Sequence, residues 1–63
     1  MEPILIKIND VIRITSLSRS TVYRMIGNSD FPKQVVIGNR QARWSLAEVK
    51  EWCHEQIHAS QAA

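Results

Sequence analysis

The residues whose types and spacing could perform chemistry lie near the end of the chain, where His54-Glu55-Gln56-Ile57-His58 reads His-Glu-x-x-His. On a helix this spacing sets two imidazoles one turn apart, able to hold zinc, with the glutamate as general base. A catalytic zinc takes three protein ligands, and the five residues after His58 supply no third. Cys53 adjoins His54 and so projects about 100° away around the helix, toward its apolar side. A 63-residue chain also retains little surface for a substrate cleft once its core is built. The pattern therefore reads as a coincidence on a polar helix end, and the expectation is no catalytic residue, no metal, no cofactor and no enzymatic activity. Cys53, the single cysteine, reads as a small buried hydrophobe rather than a nucleophile.

A second constellation has a different chemistry. In the segment Arg19-Ser20-Thr21-Val22-Tyr23-Arg24-Met25-Ile26, helical spacing turns Val22, Met25 and Ile26 to one side and Arg19, Ser20, Tyr23 and Arg24 to the other. Arginine pairs bidentately with guanine O6 and N7, serine bonds several base edges or a phosphate, and a tyrosine hydroxyl reaches a phosphate oxygen. The same four residues could equally make an ordinary solvated helix face. Only Ser16 and Leu17 separate Ser18, the expected cap of this segment, from a preceding helix. Two short helices joined so tightly bury little surface, and the pairing makes sense where the second is displayed, as in helix-turn-helix proteins that seat it in a DNA major groove.

The charge distribution agrees with an anionic partner. Residues 1–43 carry seven basic side chains against three acidic ones, while residues 44–63 carry Lys50 against Glu48, Glu51 and Glu55. The net +2 of the whole chain thus conceals a basic part and an acidic final helix. With 44% hydrophobic residues, two glycines and two prolines, the composition is globular, and the length allows one domain, residues 1–63. A lone cysteine fits a reducing compartment. The absence of a bilayer-length apolar run or a basic signal-peptide start leads to the expectation of a cytoplasmic protein with no membrane partner.

The elements that position these side chains follow from local signals. Ile4-Leu5-Ile6-Lys7-Ile8 is a β-branched run expected to be extended or an edge strand. Asn9 is expected to cap a first helix reaching about Thr15, with Val11 and Ile14 facing inward. Ser18 is expected to cap the second helix and Gly27 to terminate it. Gln34–Ile37 and Ala42–Trp44 flank a Gly38-Asn39 turn and predict a hairpin with a basic tip. Ser45-Leu46-Ala47-Glu48 has the form of a capping box, with Trp44 and Val49 at the positions of a hydrophobic staple. The last helix is expected to bury Leu46, Val49, Trp52 or Cys53, and Ile57, and to fray over 59–63.

Three stretches of the chain carry a family likeness: Thr15 through Arg24, then Phe31-Pro32-Lys33, then Ile37-Gly38-Asn39-Arg40 through Trp44. In this order and spacing, over roughly residues 4 to 56, the sequence resembles the AlpA-like phage and prophage regulators, relatives of small phage excisionases and, more distantly, of MerR-type winged helices. Ser16 departs from the glycine usual in that family's turn, so either a left-handed serine or a slightly shifted turn is expected there. The resemblance implies a mostly α winged helix-turn-helix of three helices and a two-stranded antiparallel wing. It implies a sequence-specific double-stranded DNA-binding regulator of a mobile element, an activator in the preferred reading. The alternatives are an excisionase that bends DNA for an integrase and an interaction module such as an antirepressor. It assigns Arg19, Ser20, Tyr23 and Arg24 to the recognition helix, Asn39 and Arg40 to the wing, and Ser18, Lys33 and Arg43 to phosphates. RNA polymerase or an integrase is the further partner implied, in the bacterial cytoplasm near the nucleoid.

Overall fold

The computed structural model describes residues 2–61. Along the chain run β1 (Leu5–Ile6), α1 (Ile8–Thr15), α2 (Arg19–Gly27), β2 (Val35–Ile37), β3 (Gln41–Ser45) and α3 (Leu46–Gln61). The three strands form one antiparallel sheet in the order β1-β3-β2. Leu5 and Ile6 stand opposite Ser45 and Trp44, and Val35, Val36 and Ile37 opposite Arg43, Ala42 and Gln41. This is a winged helix-turn-helix whose wing has gained a third strand, because the start of the Ile4–Ile8 run pairs with β3. The strand stops at Ile6 since Ile8 already belongs to α1.

The core gathers Ile6, Val11, Val22, Phe31, Trp44, Leu46 and Val49, so every helix contributes to one cluster. Trp44 and Val49, the staple pair, are both fully buried. Removing such side chains from water contributes about 1.5–3 kcal/mol each. Two inward assignments are corrected. Ile14 is 42% exposed, since Ile8 and Val11 present the side of α1 that meets the core. Ile57 is 51% exposed because α3 outruns so small a core, whose contacts along this helix end at Trp52 and Cys53. The helix nevertheless continues through Gln61 instead of fraying from Ala59, while Ala62 and Ala63 lie outside the described residues.

The helix ends show which local signals prevailed. Asn9 is not the cap of α1: the cap position is Lys7, and Asp10 Oδ2 accepts the Lys7 N–H at 3.2 Å. An aspartate inside the first turn satisfies an otherwise orphan donor, so the helix begins two residues earlier. Ser18 caps α2 as expected, its Oγ accepting the Thr21 N–H at 3.1 Å. Gly27 is the last residue of α2 and not its left-handed terminator. The reversal falls at Ser29, with φ 63°, and is closed by Ser29 N–H to Ile26 O and Asp30 N–H to Met25 O. In α3 the Ser45 hydroxyl accepts the Glu48 N–H at 3.2 Å. The reciprocal bond from Glu48 is not among those formed, because Ser45 is still a sheet residue opposite Leu5. Trp52 ties the connecting loop down, donating from Nε1 to Asp30 O at 2.7 Å and meeting the Phe31 ring edge-on at 4.7 Å.

Candidate nucleic-acid interface

The turn between α1 and α2 sets the direction in which α2 points. Ser16 adopts φ 61°, ψ 20°, and its N–H donates to Ile12 O at 2.8 Å, closing α1. A left-handed serine is less favourable than glycine by about 1–2 kcal/mol. Neighbours offset this. Thr15 Oγ1 donates to Val11 O at 2.8 Å and accepts the Leu17 N–H at 3.3 Å, while Leu17 packs on the core. Ser18 then opens α2 with its hydroxyl, which also donates to Thr21 Oγ1 at 2.8 Å. The Ser18 hydroxyl is therefore engaged in the cap of α2.

From this base α2 divides as its spacing predicts. Val22 is fully buried, with Met25 and Ile26 against the core, Arg19, Ser20 and Arg24 are exposed away from it, and Tyr23, also exposed, lies on the flank between the two sides. Tyr23 is 41% exposed and meets the buried Trp44 ring edge-on, 6.1 Å between centroids. That contact fastens α2 to β3 through Tyr23, whose side chain stays partly exposed. Among the described residues the ion pairs are Arg13 with Asp10 and Lys50 with Glu2. Arg19 and Arg24 join neither. A displayed helix with two uncompensated guanidiniums is suited to binding polyanions.

The wing tip is the loop Gly38-Asn39-Arg40, one residue longer than a Gly-Asn two-residue turn. Gly38 has φ 55° and Arg40 φ 62°, and the Arg40 N–H donates to Gly38 O at 3.0 Å. Asn39 and Arg40 are exposed, and Arg40 has no ion partner among the described residues. Lys33 is likewise exposed at the other end of the hairpin. Arg43 differs: its guanidinium bonds Ala42 O at 2.8 Å and Gln41 Oε1 at 3.1 Å, which lays it along β3. The Thr15 and Leu17 supports have no local sequence signal beyond the general capacity of a Thr before a tight turn to bond its own backbone. Among the described residues no three His, Cys, Asp or Glu side chains converge as a metal site, and His54 and His58 lie exposed on α3. No described helix is long and apolar enough to cross a membrane.

A sheet-fastened helix-turn-helix with a basic outer face defines a winged helix-turn-helix binding module. Residues 4–57 match the family described as Prophage CP4-57 regulatory protein (AlpA), and the chain belongs to that family of phage regulatory proteins. A relative in Enterobacteria phage P4, described as Uncharacterized protein ORF88, is 36% identical over 52 residues. The match covers 82% of this chain but 59% of the relative, so the chain spans about three fifths of that protein's length.

Proposed function

We propose that this chain is a sequence-specific double-stranded DNA-binding regulator of a prophage or related element, acting by binding alone and without enzymatic chemistry. The observation that carries the reading is the α2 face: Arg19, Ser20, Tyr23 and Arg24 stand outward on a helix whose opposite side and starting turn are fixed by the core. Arg19 and Ser20, in the first turn, take the positions that reach base edges in helix-turn-helix docking. Tyr23 and Arg24 contact the flanking backbone or the next base. Asn39 and Arg40 enter the adjacent minor groove, where negative potential attracts arginine, and Lys33 neutralises a phosphate. The test is selection of bound duplexes from a random pool. A common motif should emerge, bound with an affinity that falls steeply with salt. A pool without enrichment and without salt-sensitive binding would replace this reading with an interaction module for an acidic protein.

Within that reading, promoter activation is the preferred mode. Glu51 and Glu55 are exposed, four residues apart on α3, and form an acidic surface unsuited to DNA and suited to transcription machinery. Gln at both positions should leave operator binding intact and abolish activation of a reporter. Stimulation of integrase-dependent excision in a purified reaction without transcription would instead assign the chain to the excisionases.

A further inference from the structure

α3 shows solvent a row of charges that its own spacing disfavours. Glu48, Glu51 and Glu55 follow one another at intervals of three and four residues, so their carboxylates are neighbours on one side of the helix and repel. No cation answers them: Lys50 is paired with Glu2, and among the described residues none of these three carboxylates enters an ion pair. The same side of α3 lines an open groove of about 770 Å³, opposite the loop that leads from Ser29 into β2. That loop adds Asp30, also without an ion partner among the described residues, and a single cation, Lys33. Apolar lining comes from Pro32, Val35 and Trp52. The bond from Trp52 Nε1 to Asp30 O and the edge-on contact with Phe31 fix that indole before anything binds. Gln34 lines the groove too, and its Oε1 is shut off from water without a donor. An occupant bearing N–H groups removes that cost by drawing the amide outward.

We infer that this groove docks an extended basic segment of another protein, one in which lysine or arginine alternates with aliphatic residues. Charge complementarity selects the occupant, since four carboxylates against one ammonium repel nucleic acid and attract cations. The alternation follows from spacing. Glu51 and Glu55 stand about 6 Å apart along the helix axis, at about 1.5 Å per residue, close to the roughly 6.6 Å between alternate residues of a strand. Cations on one side of such a strand therefore keep step with the carboxylates, while its aliphatic side chains cover Pro32 and Val35 and a guanidinium stacks on Trp52. The inference gives a chemical class to the partner of the activation surface, and rests on that reading. Ion pairs at an exposed rim are individually weak. The segment consequently binds the free protein loosely, and is held well only where both proteins stand on one promoter and the effective concentration is high.

The two tryptophans make the test internal. Trp52 lines the groove, whereas Trp44 is fully buried and does not, so their indole N–H signals in a nitrogen-15 NMR spectrum report site and core separately. The probe is an acetylated, amidated pentapeptide of three arginines alternating with two leucines, added to the free protein without DNA. Spermidine, with the same triple charge and no alternation, is the control. The peptide should move the Trp52 indole signal and the Glu51 and Glu55 amides, leave the Trp44 signal in place, and saturate at a concentration at which spermidine has little effect. A Glu51→Gln/Glu55→Gln variant should bind the peptide about fivefold more weakly, with the Trp44 signal showing that its core is intact. Equal response to spermidine, or shifts that bypass Trp52, overturns the docking site. Docking together with an unchanged reporter response from the double variant keeps the groove and refutes the activator reading. No docking together with a lost reporter response does the reverse.

Discussion

Two turns in this small protein solve one backbone problem in opposite ways. Ser16, between α1 and α2, and Arg40, at the wing tip, both hold a side chain in the left-handed region, at φ 61° and 62°. Around Ser16 the strain is over-determined by the Thr15 bonds, the Ile12 carbonyl and the packed Leu17. Around Arg40 a single bond to Gly38 O closes an exposed loop. The first turn aims a helix and needs no particular side chain at its apex. The second holds out an arginine where glycine would be easier, and strain retained without packing to explain it points to use of the side chain.

The comparison can be broken most violently at the residue that joins its two halves. Trp44 is buried in β3 and braces Tyr23 of α2. Trp44→Ala should cost about 3–5 kcal/mol, most of what a domain of this length possesses at about 0.05–0.15 kcal/mol per residue. Thermal melts should show no cooperative transition at 37 °C, and wing and recognition helix should be lost together. Next in size is Ser18→Ala, which removes the α2 cap and should destabilise by about 0.5–2 kcal/mol in a denaturant titration. The loss should appear in stability first and in DNA affinity only as far as α2 frays.

The sharpest comparison is glycine in both turns. Ser16→Gly and Arg40→Gly should each relieve left-handed strain, offset in part by about 0.4–1 kcal/mol of added chain entropy when unfolded. Both variants should therefore melt within a few degrees of the parent. Their affinities should diverge: Ser16→Gly should bind a selected duplex as the parent does, and Arg40→Gly should bind more weakly, most of all where the flank is A·T-rich. Unchanged affinity of Arg40→Gly on every flank would make the wing tip a mere linker. Smallest of all is the expected response to zinc or a chelator, which should move neither the melt nor the affinity, since His54 and His58 lack a third ligand.

Much of this was legible in the sequence where one residue decides the outcome. Ser18 and Ser45 mark helix starts by their hydroxyls, Val22 with Met25 and Ile26 reveals the inner side of α2, and of the two outcomes open to Ser16, a left-handed serine or a shifted turn, the first is found. What escaped depends on choices between near-equal partners. Asn9 and Asp10 compete to satisfy the same helix end, and Asp10 prevails from inside the turn. Gly27 and Ser29 could each take the reversal, and the bonds to Ile26 and Met25 select Ser29. Ile57 continues the apolar period of α3, yet periodicity says nothing of where the core ends. The sheet position of β1 is likewise a long-range pairing that no local signal encodes. For the candidate interface, spacing located the outward side of α2, whereas the bracing of Tyr23 and the tethering of Arg43 arise only from tertiary contact.

Base reading by α2 is the central claim, and the specificity ratio of Arg19→Ala tests it most directly. The ratio is affinity for the selected duplex over affinity for a scrambled duplex, measured by fluorescence anisotropy at one salt concentration for parent and variant. If Arg19 reads a base, the substitution should cost about 1–3 kcal/mol on the selected duplex, and the ratio should drop by about 5- to 150-fold while the melt stays unchanged. Equal losses on both duplexes, leaving the ratio where it was, would make Arg19 a phosphate contact and contradict base reading at that position.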